Sequence, residues 1–352
     1  MYILYNKQIV KHRIRSLLDQ IALSTGLLSH YERCMHRGLT ILMYHRVLPL
    51  EQCENYPLPA LSMPIEAFRE QMKWLSERFT VLTVYDAFKA LKKNRRFSKP
   101  IVAVTFDDGY YDNYLFVAPV LEEYGLRGTF FITSNFVASG NMQWFDIAAI
   151  VWKQTAEKDR KELLKTLYQT GTPLQKTIDT KSIRDWMEGL KKVNSSIRMD
   201  LIQKAKELSG TVEHIENFAP MKPHQIKNLH NHGHEIASHT VSHPILTQVS
   251  NAFLFEELNN SAKQLEEWTG TRPKGFCYPN GDYNNKIEDA VKQAGYDYAC
   301  IIESNINTPE VSQTRLARLP ITMQRTMGSK NKHNLLGFRS ELSLIREIWR
   351  TS

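Results

Sequence analysis

The run IVAVTF at residues 101–106 constrains this chain more than any other stretch: it is almost continuously apolar, Pro100 introduces it, and Asp107 and Asp108 follow it. Such a run is what a parallel strand covered on both faces requires. Similar short runs recur at 39–45 (LTILMYH), 80–83, 127–133 (RGTFFIT), 235–239 (EIASH), 275–279 (GFCYP), 297–302 (DYACII) and 316–322. Between them lie segments with apolar residues at helical spacing, at 65–79, 85–93, 114–124, 251–268 and 284–294. Seven or eight strands with intervening helices predict a parallel α/β barrel more than an open sheet. The length, 352 residues, is room for one large barrel with an insertion, or for two average domains.

Three segments fall outside the alternation. Residues 140–220 are charge-rich and mostly helical in pattern, and because strands resume afterwards they read as a helical insertion within a barrel spanning 39–322. Residues 1–38 form a basic extension with an amphipathic helix over 7–28, and 323–352 a tail with a second basic amphipathic helix. The tail is expected to pack on the barrel, with contact to a membrane surface as the alternative. The excess of 45 Lys and Arg over 37 Asp and Glu, thickest at the two ends, would suit an anionic partner, but a solvated surface is the simpler reading. No apolar run approaches a membrane span, and the N-terminus lacks the continuous apolar core and cleavage site of a signal peptide. The cysteines Cys34, Cys53, Cys277 and Cys300 are far apart and form no CxxC pair, so a reducing, cytoplasmic setting is expected.

In parallel α/β folds chemistry collects at the C-terminal ends of strands. His45, Asp107, Asp108, His239, Cys277 and Tyr278 all fall at such ends here. Each alone has a bland explanation as a turn former, surface residue or core residue. Several on one rim do not. Two histidine pairs have i, i+4 spacing. His230 and His234 straddle the turn NHGH and need not share a face, whereas His239 and His243 open a segment just after a strand (HTVSHP). One helical turn there would set both imidazoles toward the loop of Asp107 and Asp108. Two imidazoles and one carboxylate leave a coordination position for water, which is the pattern of catalytic zinc.

The motifs TFDDG (residues 105–109) and HTVSHP (239–244) resemble the first two signatures of the polysaccharide deacetylases, the NodB-like carbohydrate esterase family 4. That resemblance implies a distorted (β/α)7–8 barrel and removal of N-acetyl groups from sugars. It implies Asp107 as general base and Asp108, His239 and His243 as ligands of a divalent metal, with Zn2+ expected from the two-imidazole, one-carboxylate set. Two departures stand out. The family's RPPYG corresponds to CYPNG at 277–281, without the arginine that orients the aspartate, and Arg318 near the last strand is a candidate replacement. The C-terminal leucine–x–histidine motif is absent, and His333 in SKNKHNLL does not match it. ILMYHRV at 41–47 instead resembles the N-terminal motif of a rearranged branch that includes poly-N-acetylglucosamine deacetylases, in which this histidine, here His45, is the acid.

Tyr110, Tyr278 and Asn280 are the expected substrate-binding residues, Asn280 through a backbone N–H near the oxyanion; Tyr111 and Trp144 could also stack on a sugar, with core packing as the alternative for Trp144. The expected partner is an N-acetylated carbohydrate, lipid-linked in one variant of this reading, with no nucleic acid. Rival readings are a deacylase or deformylase of a lipid-linked sugar, a non-catalytic glycan-binding protein, and a nucleic-acid-binding protein using the net charge of +8. A binding protein has no need of the base at Asp107, and a nucleic-acid binder leaves the rim residues unexplained.

Overall fold

A computed structural model of the chain describes residues 14–170, 180, 183–210, 218–326 and 334–347. The strands are β1 (Leu39–Tyr44), β2 (Arg46–Leu48), β3 (Ser62–Pro64), β4 (Thr80–Leu82), β5 (Ile101–Phe106), β6 (Thr129–Ile132), β7 (Glu235–Ser238), β8 (Gly275–Cys277), β9 (Tyr298–Ile302) and β10 (Leu316–Pro320). Seven of them close into a parallel barrel in the order β1-β10-β9-β8-β7-β6-β5, with β5 pairing back onto β1. The distortion is local to β5. Its first half (Ile101–Ala103) pairs with the short β4, and only Thr105 and Phe106 pair with β6, so β4 fills a seam that β6 leaves open.

The apolar runs become strands because both of their faces are covered. One set of side chains, including Leu39, Ile41, Ala103, Phe131, Ala237, Cys277 and Cys300, forms one core cluster; the alternate set, including Leu42, Tyr44, Val102, Val104, Phe106 and Phe130, belongs to another with the helix Ile65–Arg78. Successive residues of β1 and β5 thus enter different clusters, as the two-residue strand period demands. Gly275 permits the close approach of β8 and β9: a Cβ there would lie 2.2 Å from the Tyr298 ring. The two three-residue strands β2 and β3 form a separate parallel pair that the sequence pattern did not reveal.

Between β6 and β7 the described residues form helices Trp144–Gln154, Glu157–Gln169, Ile183–Lys192 and Ser195–Ser209, followed by Pro223–Asn231. The first four share a core in which Trp186 stacks on Trp152 (centroids 5.7 Å apart) and donates its indole N–H to Ala148 O at 3.1 Å. At the termini, residues 14–24 and Leu27–Cys34 are helical, and the rest of the expected helix at 7–13 lies outside the described residues. Arg339 of the C-terminal helix Leu335–Leu342 pairs with Glu32, and Arg346, just beyond that helix, pairs with Asp19; Phe338 of the same helix meets Trp74 of the helix Ile65–Arg78. No helix among the described residues is long and apolar enough to cross a membrane.

Candidate active site

β5 delivers Asp107 and Asp108 to the rim. The Asp107 N–H donates to Tyr44 O (3.1 Å) and the Thr133 N–H to Asp108 O (3.1 Å), so the turn is clamped between β1 and β6. Asp108 is held at φ 77, a left-handed conformation that costs a non-glycine residue of order 1–3 kcal/mol. Of the six described non-glycine residues at positive φ, four lie in these rim loops: Asp108, Thr240, His243 and Asn280. Strain gathered in one place and overruled by the surrounding fold is a frequent property of functional sites.

Asp107 is gripped by Arg318 from β10, which donates Nη1 to Oδ1 (2.6 Å) and Nη2 to Oδ2 (2.8 Å). Arg318 also donates to Thr105 Oγ1 (3.2 Å) and to Cys277 Sγ (2.7 Å). Burial by itself would raise the Asp107 carboxyl, but the charge of Arg318 and its paired hydrogen bonds outweigh burial and hold it at about 2. Arg318 of β10 thus contacts Asp107 where the loop after β8 offers no arginine.

His45 follows β1 and sets Nε2 3.8 Å from Asp107 Oδ2. Its carbonyl accepts from Asn113 Nδ2 (2.8 Å), and the next residue, Arg46, pairs with Asp112 (2.9 Å), so the loop after β5 positions His45 as well as Asp107. Burial lowers the His45 imidazole to about 4, with Arg318 and His239 adding to the fall and Asp107 opposing it. It therefore rests neutral at physiological pH.

Asp108, His239 and His243 converge. Each histidine Nε2 lies 3.6 Å from Asp108 Oδ1, an oxygen that has no hydrogen-bond donor and is shielded from solvent. His239 Nδ1 lies 2.8 Å from the carbonyl of Cys277. A carbonyl can only accept, so Nδ1 carries the proton and Nε2 turns its lone pair to the cluster, as in a metal-ligating histidine. Burial lowers the pKa of both histidines, and burial followed by repulsion from Asp107 raises that of Asp108. A buried carboxylate oxygen without a donor, facing two neutral imidazoles, fits a divalent cation. The neighbouring set Asp107, His239 and Cys277 fits less well, because Asp107 and the Cys277 sulfur already accept from Arg318 and burial pushes the thiol pKa up.

Several expectations are corrected by the structure. The histidine segment is no helical turn: residues 239–243 form an irregular loop in which Thr240 and His243 have positive φ, and this brings the rings within 4.7 Å. Tyr110 and Tyr278 cannot touch a sugar, since both are fully buried. The Tyr110 hydroxyl donates to Asp146 Oδ2 (2.6 Å) in the helical layer, and the Tyr278 hydroxyl to Thr314 O (3.1 Å). Asn280 stays half-buried on the loop after β8, with Nδ2 donating to Asp282 (2.6 Å). His333 lies outside the described residues. Sequence reasoning singled out Tyr110 but missed the buried group it forms with Arg46, Asp112, Asp146 and Tyr56, in which Tyr56 and Tyr110 both donate to Asp146 and Arg46 lies over the two rings. Two of its members adjoin residues that the motifs singled out, but Asp146 carries no local signal.

The sequence matches the polysaccharide deacetylase family over residues 94–183 and 198–299. It is 38% identical over 95 residues to the putative polysaccharide deacetylase YxkH of Bacillus subtilis, an alignment covering 27% of this chain and 31% of that protein. It is 22% identical over 289 residues to poly-beta-1,6-N-acetyl-D-glucosamine N-deacetylase of Staphylococcus aureus, covering 80% and 78% of the two chains. The fold is shared with the deacetylase PplD of Streptococcus pyogenes (TM-score 0.56, 19% identity, 84% of this chain and 96% of that one). It is shared also with IcaB of Ammonifex degensii (TM-score 0.53, 17% identity, 81% and 92%). With more than half of its length matched by the family and its barrel common to these structures, the chain belongs to the polysaccharide deacetylases.

Proposed function

We propose that the protein is a metal-dependent hydrolase that removes N-acetyl groups from an amino-sugar chain. The observation that carries this reading is the pairing of an ionised Asp107, fixed by Arg318, with the donor-free Asp108 between two imidazoles. Asp108, His239 and His243 would hold the cation, zinc being the ion this donor set suits best, and its Lewis acidity would act on the amide carbonyl and the attacking water.

An amide needs help at both ends, because its carbonyl is a poor electrophile and its amine a poor leaving group. Asp107 receives the proton of the water as the C–O bond forms. Arg318 holds the Asp107 carboxyl well below its ordinary range, so of the two groups His45 Nε2 is the more basic and takes the proton on. From there it passes to the departing nitrogen as the C–N bond breaks, leaving acetate and a free amine. A neutral resting His45 is thus compatible with its role as acid, the proton arriving within the turnover. Each proton transfer is worth roughly 10²–10⁴-fold.

Metal-loaded protein incubated with N-acetylated glycans, formylated analogues and lipid-linked amino sugars, read by mass for acetate or formate and new amine, tests this reading. Acetate release lost in Asp107→Asn is the expected outcome; release of nothing from any N-acylated glycan would overturn it.

A further inference from the structure

Beside the rim lies a cavity of about 580 Å³, within the usual range of about 300–1,000 Å³ for small-ligand sites. The helices Trp144–Gln154 and Ser195–Ser209 form one wall and the loop after β7 the other, with His243 exposed to it. Trp144 and Phe253 supply apolar surface and Asn141, Gln143 and Gln248 supply amides. Among the described residues no aspartate, glutamate or lysine lines the cavity, and its one fixed charge is Arg198.

Arg198 is buried, and its guanidinium lies 4.5 Å from the centre of the Trp144 ring. It donates Nε to Leu190 O (2.8 Å) and Nη2 to Val193 O (3.1 Å) and Gln248 Oε1 (3.2 Å). The buried Arg46, Arg318 and Arg346 each face a carboxylate, whereas no carboxylate among the described residues reaches Arg198 within ion-pair distance. The nearby Glu257 is turned to the loop, accepting from the N–H groups of Val241 and Ser242 and from the Ser242 hydroxyl. Gln143 is only 6% exposed, and its side-chain NH2 has no partner. A buried amide donor left without an acceptor is expensive to maintain, and a ligand oxygen would satisfy it.

We propose that this cavity seats the sugar next to the one undergoing deacetylation and accepts it only while its own N-acetyl group is intact. The inference rests on the deacetylase reading above. An N-acetylated sugar is neutral, offers a carbonyl oxygen to the Gln143 amide and presents C–H faces to Trp144. The same sugar after deacetylation carries an ammonium, which meets a field set by an uncompensated guanidinium with no acid to receive it. Repulsion between like charges several ångströms apart in a partly buried site is enough for roughly ten- to hundredfold discrimination. One consequence is a sparse product: each amine formed disfavours reaction at the adjacent unit.

The test compares defined amino-sugar oligomers, one fully acetylated and one with a single free amine beside the reacting unit, using the metal-loaded full chain. Wild type is expected to show kcat/KM at least tenfold higher on the fully acetylated oligomer. Gln248→Glu, at an exposed position, sets a carboxylate against Arg198 Nη2 and should shrink the gap to threefold or less. Gln143→Glu, whose folding is checked by melting temperature and metal content, should shrink it further or reverse it. Equal wild-type rates on the two oligomers, or a gap unchanged in both variants, would overturn the inference while leaving the deacetylase reading intact. Acetate from neither oligomer would overturn both.

Discussion

Arg318→Met exposes the energetic logic of the site, because it removes the partner that most opposes the burial of Asp107. Arg318 is wholly buried and Asp107 is 2% exposed, so solvent cannot replace the lost charge. In the wild type the Asp107 pKa is depressed from 3.8 to about 2, which by linkage contributes about 2 kcal/mol of stability. A depressed carboxyl gives stability that is present above pH 3.8 and is lost as pH falls through about 2. In Arg318→Met the sign inverts, since burial is the largest influence on Asp107 and now acts with little opposition. The carboxyl then rises above its ordinary value, and the variant loses stability as pH increases. Breaking a buried pair by deleting one partner costs roughly 3–5 kcal/mol, and we expect that loss near neutral pH, shrinking toward pH 4. Urea unfolding of metal-stripped protein at several pH values measures it. The double variant Arg318→Met/Asp107→Asn should recover most of the loss, because both charges leave together. A double variant no more stable than the single one, or an Arg318→Met variant with a wild-type acid limb in its pH–rate profile, would refute the reasoning.

Purified protein should hold about one divalent ion per chain, lost in His239→Ala, His243→Ala and Asp108→Asn but retained in Asp107→Asn; metal analysis showing equal loss in Asp107→Asn and Asp108→Asn would mean that the two aspartates share one role. His45→Ala should keep its metal yet lose roughly 10²–10⁴-fold on amide substrates and far less on an activated ester, whose leaving group needs no proton; equal losses on the two would remove His45 from proton transfer. Glu235, raised by burial from 4.5 to about 7 despite donors from Tyr85, Thr129 and Tyr298, favours a protonated folded state. Its contribution is full below pH 4.5 and fades as pH rises through about 7, so Glu235→Gln should gain about 3 kcal/mol on wild type between pH 4.5 and 8 in urea unfolding.

Much of the barrel was legible because its signals are local. Residues 101–106 are a strand in the sequence pattern and in the structure, and the expected strands at 235–239 and 297–302 agree within one residue at either end. The two-residue period and continuous burial of parallel strands are written directly in the order of side chains. The same locality explains the failures. The segment HTVSHP has the spacing of a helical turn, but Thr240 and His243 adopt positive φ without a glycine to announce it. Tyr110 and Tyr278 stand at strand ends where substrate-facing residues are expected, yet neighbouring layers close over them. The strands β2 and β3 are three residues each, too short for a period to register.

Local chemistry therefore determined the strands of the main sheet, the class of fold and the donor types at the rim: two adjacent carboxylates after one strand and two imidazoles after another. Closure of the barrel decided how they act. Arg318 lies 211 residues from Asp107 and meets it only because β10 pairs with β1, which pairs with β5. The ionisation of Asp107, the neutral resting state of His45 and the donor-free oxygen of Asp108 all follow from burial among groups far apart in the chain. Burial and the partners that offset it are properties of three-dimensional surroundings, and residue order alone does not contain them.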